Sequence, residues 1–125
     1  MARYLTHDQF HQKALAGWKS LGEQGKKCYS SNFVLNETLT LLARRAGYKF
    51  ACDRAKEIYA SERLIILRSS EAEELKAVQY LDKYKDQKVS FTDCLSFVLM
   101  HNKGLRQVFG FDEHFIYAGF EYWNK

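Results

Sequence analysis

Three carboxylates from distant parts of the chain, Glu37, Asp93 and Asp112, are the residues with the most chemistry to offer. Glu37 sits inside an apolar run, FVLNETLTLL, where a solvated face is hard to arrange. Asp93 lies three residues after Ser90, in the first turn of a predicted helix, and Asp112 directly follows a predicted strand, QVFGF at 107–111. In an open parallel sheet, ligands gather outside the carboxyl ends of the strands. Asp112 belongs on that rim, and Glu37 and Asp93, each early in a helix, are within reach of it. Unscreened like charges repel, so such a cluster makes sense around a hard divalent cation, Mg²⁺ or Mn²⁺. A cation of that kind, keeping several waters, suits hydroxide generation and charge neutralisation at a phosphoryl centre. Each acid also has a plainer reading. Asp93 serves equally as a capping-box acid and Asp112 as a turn residue, and spacing alone leaves both readings open.

Positioning those acids requires strands alternating with helices. Residues 8–21 place Phe10, Ala14, Leu15, Trp18 and Leu21 at helical spacing, and Gly22 and Gly25 break the pattern. A short β-prone KCYS at 27–30 leads into a helix from Asn32 to Ala46, with Ser31 as its cap and Gly47 as its stop. Another helix follows over 50–61, built on Ala51, Ala55, Ile58 and Tyr59. LIIL at 64–67 reads as a strand covered on both faces. Glu71–Tyr84 repeats apolar residues at 72, 75, 78, 81 and 84, with Glu71, Glu73 and Glu74 at the favourable end of the helix dipole. Ser90 opens a helix through Asn102 with Gly104 as its stop, and 107–111 and 120–123 are the last strands. This order predicts an α/β domain with a mostly parallel sheet.

The 125 residues fit one domain, 1–125, with 46% hydrophobic and 27% charged residues. That composition excludes disorder, collagen and coiled coil. No apolar stretch is long enough to span a membrane, and the first 20 residues hold no apolar signal core. Cys28, Cys52 and Cys94 are odd in number and lack CxxC spacing, so reduced thiols in a cytoplasmic protein are expected. The net charge is +4; with three acids withdrawn to a metal, the remaining 19 cations and 12 acids leave +7, a fair field for RNA. Arg44, Arg45, Lys49 and Arg54 cluster around one helix end and the start of the next helix, where they serve either phosphates or ordinary salt bridges.

Three segments, NFVLNETLTLLARRAGY, VSFTDCLSFVLMHNKGLRQVFGFDEHF and AGFEYW, closely resemble blocks of the PIN-domain nucleases, most like the VapC-type toxins of toxin–antitoxin pairs. The resemblance runs from about Leu5 to Trp123 and implies a three-layer α/β/α domain. It makes Glu37, Asp93 and Asp112 the catalytic acids that hold Mg²⁺ or Mn²⁺, with Ser90, Thr92 and His114 supporting them. It further implies cleavage of RNA, a cognate antitoxin partner and a homodimer. The departure lies at the amino end. The family opens with a central strand ending in an aspartate, about a dozen residues before a D-x-x-H segment. Here Asp8-Gln9-Phe10-His11 fits that segment only seven residues into the chain. The expectation is therefore a sheet lacking its usual first central strand and one metal-site acid. Truncation with weakened metal binding and low activity accounts for it, ahead of strand swapping between chains or gene decay. Gly110 also stands where relatives often carry a hydroxyl residue.

Two function classes follow. The first is a metal-dependent endoribonuclease of the toxin kind; the alternative is a degenerate domain that binds RNA or protein without cutting. Among the remaining features, His7 and His11 have the i, i+4 spacing of a Zn²⁺ pair or of a solvated helix start. Tyr80, Tyr84, Phe115, Tyr117, Phe120, Tyr122 and Trp123 are expected in the core and a dimer surface, with one or two near the rim to stack on bases.

Overall fold

Short β-prone runs separated by helices assemble into one parallel sheet. The computed structural model describes residues 3–6, 10–12, 15, 28–62, 64–109 and 118–123. In chain order these form β1 (Arg3–Leu5), β2 (Cys28–Ser31), α1 (Asn32–Ala46), α2 (Tyr48–Ala60) and β3 (Leu64–Leu67). There follow α3 (Glu71–Lys83), a 3₁₀ turn (Lys85–Gln87), α4 (Phe91–Lys103), β4 (Gln107–Phe109) and β5 (Glu121–Trp123). The sheet order is β3-β2-β1-β4-β5, and every pairing in it is parallel. Parallel strands need crossovers, which α1 and α2 provide between β2 and β3 and α3 and α4 between β3 and β4, and the architecture is three-layer α/β.

The expectation of a missing central strand is corrected here. Arg3–Leu5 occupies that place, with Tyr4 opposite Tyr29 on one side and Val108 on the other. Tyr4 and Leu5 are 0% and 1% exposed, so the strand is covered on both faces. Three residues are too few to show alternation, so the pattern that reveals longer strands is silent for this one. The residue that follows it is Thr6, also buried, so the strand does not end in an acid. Asp8 lies outside the described residues.

Local signals set the helix ends. The Val34 N–H donates to Ser31 Oγ at 3.1 Å, and Gly47, at φ 98°, separates α1 from α2 in a conformation other residues avoid. A reciprocal capping box closes the start of α3. The Glu73 N–H donates to Ser70 Oγ at 3.2 Å, and the Ser70 N–H donates to Glu73 Oε1 at 2.9 Å. Gly104, at φ 74°, ends α4.

The core sits around α4, where seven consecutive residues from Cys94 to Met100 are buried. A helix buried all round belongs in the middle of a domain. Tyr80 of α3 and Tyr84, its C-cap, meet Phe97 of α4 edge-on, with centroids 6.2 and 6.0 Å apart. Two apolar stripes are corrected. On α3 and its C-cap the inward residues are Ala77, Tyr80 and Tyr84, while Leu75, Val78 and Leu81 face solvent. A strict three-residue spacing drifts around a 3.6-residue helix, so the stripe at 72–84 cannot follow one neighbour. On α2, Ala51 and Ile58 are buried but Tyr59 is exposed.

Candidate active site

Glu37 lies in the second turn of α1, which leaves the carboxyl end of β2 through its Ser31 cap. The Thr92 hydroxyl donates to Glu37 Oε1 at 2.7 Å, across 55 residues of sequence. Thr92 and Asp93 are neighbours in the first turn of α4, so this bond brings Glu37 against the turn that carries Asp93. Ser90 caps that turn by accepting the Asp93 N–H at 3.1 Å. An acid in this position lies at the positive end of the helix dipole. Glu37 is exposed and Asp93 half-buried, an arrangement open to solvent and ligand.

A buried phenol lies close enough to Asp93 to feel its charge. Tyr4 of β1 shares a 2.6 Å hydrogen bond with Ser96 Oγ, deep in the core. Burial pushes its hydroxyl up to about 12; the charge of Asp93 adds to that, while hydrogen bonding with Ser31, Ser96 and Ser30 works against it. Burial likewise pushes the Cys94 thiol up to about 11, with Asp93 again contributing. Both groups therefore stay protonated beside Asp93 at neutral pH. Tyr4 is a site neighbour that sequence reasoning missed, because nothing marked its strand.

The structure brings together Glu37, Thr92, Asp93 and Ser90 of the expected residues. Asp112 and His114 lie outside the described residues, beyond the end of β4, and the described residues alone hold no group of three metal-binding side chains. The donors that do meet are oxygen atoms, which suit a hard divalent cation. Of the basic group, Arg44 and Arg45 are exposed in the last turn of α1. Lys49 is 90% exposed and lies 3.4 Å from Asp53. Arg54 is committed elsewhere: its guanidinium pairs with Glu57 and covers the Phe50 ring at 4.7 Å.

Comparison with known proteins gives this constellation a context. Residues 2–121 match the PIN domain family. The chain belongs to the PIN domain family. This PIN domain is 35% identical over 91 residues to the 23S rRNA-specific endonuclease VapC20 of Mycobacterium tuberculosis, covering 73% of the chain and 69% of that relative. It is also similar to the crystal structure of Mycobacterium tuberculosis VapC20, described as a sarcin-ricin loop cleaving toxin. That likeness has a TM-score of 0.80 and 28% identity over 97% of each chain. It covers nearly the whole length of both proteins, so the fold is shared throughout.

Proposed function

We propose that this PIN domain is a metal-dependent endoribonuclease of the toxin kind, acting on a structured RNA such as the ribosomal loop that its relative cleaves. The observation that carries the proposal is the Thr92–Glu37 hydrogen bond, which joins two acid-bearing helices at one end of a family fold. Glu37, Asp93 and Asp112 would hold Mg²⁺ or Mn²⁺. When bound, the cation lowers the pKa of its water and neutralises charge on the phosphoryl oxygens. The chain's own contribution is positional. Thr92 fixes the Glu37 carboxylate, Ser90 fixes the first turn of α4, and Arg44, Arg45 and Lys49 attract the phosphate backbone. An antitoxin or a second copy of the chain is the partner supported by the exposed Leu75, Val78 and Leu81 on α3.

The test is cleavage of an RNA carrying a sarcin-ricin-type loop, with Mn²⁺ or with chelator. Cleavage is expected only with metal, falling more than ~100-fold in Asp93→Asn and ~10- to 100-fold in Thr92→Val, which keeps the shape but loses the donor. Equal cleavage by the parent and Asp93→Asn would overturn the assignment. A second reading, a domain that binds RNA without cutting, is favoured by Thr6 standing where an acid would follow β1. Binding without cleavage under every metal would establish it.

A further inference from the structure

On α2, residues with no role in the acid site line the solvent side. Tyr48 and Tyr59 are 75% and 61% exposed, and no ring or cation among the described residues contacts either of them. At 100° per residue, positions 48 and 59 fall within about 20° of each other around the helix, with a rise of ~16 Å between them. Lys49 and Lys56, both exposed, form a second line roughly 80° away and ~10 Å long. The opposite side, with Ala51 and Ile58, is buried. The nearby acids detract little. Glu57 is paired with Arg54, and Asp53 meets Lys49 in an exposed pair of the kind that contributes little.

Scattered exposed aromatics need no explanation. Two on one line, beside a parallel line of cations, form the pattern that single-stranded nucleic acid requires: π-faces for bases and positive charge for the backbone. Resting on the ribonuclease reading above, we propose that the outward face of α2 is a track for an unpaired RNA segment. Its bases stack on Tyr48 and Tyr59, and its phosphates lie along Lys49 and Lys56. Arg44 and Arg45, at the end of α1 just before Gly47, extend the positive charge past the start of the track.

The experiment measures binding of a fluorescein-labelled single strand of about 12 nucleotides, within the usual site size, by anisotropy in EDTA. The intact chain is used, and chelation prevents cutting. Tyr48→Ala and Tyr59→Ala are each expected to weaken binding at least about fivefold, while Tyr48→Phe and Tyr59→Phe retain it. Lys49→Gln with Lys56→Gln should reduce the salt slope of log K by about 1.4. Saturating RNA should also slow alkylation of Cys52, which lies exposed between the tyrosines, whereas Cys28 and Cys94 are buried. The proposal is overturned by a natively folded double alanine variant that binds like the parent. Phenylalanine variants as weak as the alanine ones, or unchanged Cys52 alkylation, also overturn it. Loss of self-association in the double variant without loss of RNA binding assigns the face to a second copy and likewise overturns it. Binding of this kind without metal-dependent cleavage sinks the ribonuclease reading instead and leaves the track standing.

Discussion

Tyr4→Phe tests the central strand directly. The substitution removes one oxygen and keeps the ring, so it opens no cavity and disturbs no apolar packing. What it removes is a hydroxyl that hydrogen-bonds with Ser31 and Ser30 as well as with Ser96, at 2.6 Å. Of these, Ser96 is 1% exposed and has no other hydrogen bond among the described residues. A buried hydroxyl left without a partner costs about 1–3 kcal/mol. Urea unfolding is the assay. With a slope of ~1–3 kcal/mol per molar, a loss near 2 kcal/mol moves the midpoint by about 1 M, with the slope unchanged. Ser96→Ala in the Tyr4→Phe background should then cost little, because the Ser96 hydroxyl has already lost its partner, while Ser30 and Ser31 keep their bonds to the Leu5 carbonyl and the Val34 N–H. A double-mutant cycle should return a coupling of at least ~0.5 kcal/mol. A Tyr4→Phe cost within ~0.5 kcal/mol, the usual range for surface changes, or strict additivity in the cycle, would refute the placement of Arg3–Leu5 at the centre of the sheet.

Two further outcomes follow from named groups. Tyr4 ionises at about 12 in the folded chain against an ordinary value of 10.0, so its contribution is full below pH 10 and lost as pH rises through 12. That amounts to roughly 2–3 kcal/mol, read by alkaline unfolding as the difference between the parent and Tyr4→Phe. Ser70→Ala should lower stability by about 1 kcal/mol in thermal or urea unfolding, through loss of the α3 cap. The Ser70 N–H, with the Asn102 amide, holds the Glu73 carboxyl below its usual value. The part of the cap that depends on this charge is therefore present above the ordinary carboxylate range and disappears as pH falls through the lowered value.

The candidate site was legible where local chemistry leaves a trace. Ser31 and Gly47 mark the ends of α1 because an N-cap oxygen and a positive φ are demands that few residues meet. Ser90 and Gly104 mark α4 in the same way. LIIL was recognisable as β3 because a continuous apolar run suits a parallel strand. At the edge of the sheet only Leu64 of it is buried, so the expected cover on both faces is not what the structure has. Those boundaries fixed where Glu37 and Asp93 stand on their helices. The outward turn of Tyr59, Leu75, Val78 and Leu81 was not legible, since an apolar stripe does not state which neighbour will cover it.

The chain read alone gave α1 and α4 with their caps, α3, and the parallel α/β class, because each depends on interactions within a few residues. The acids were singled out by the family resemblance, and the expected helix over 8–21 lies largely outside the described residues. Tertiary structure alone decided that three residues before Thr6 become the middle strand of the sheet. It also decided that Thr92 reaches Glu37 across 55 positions, that Arg54 is tied to Glu57 and Phe50, and that two tyrosines of α2 face outward. The physical reason is the same in each case. Burial and hydrogen bonding between segments far apart in sequence are properties of how the elements pack, and no local spacing encodes them.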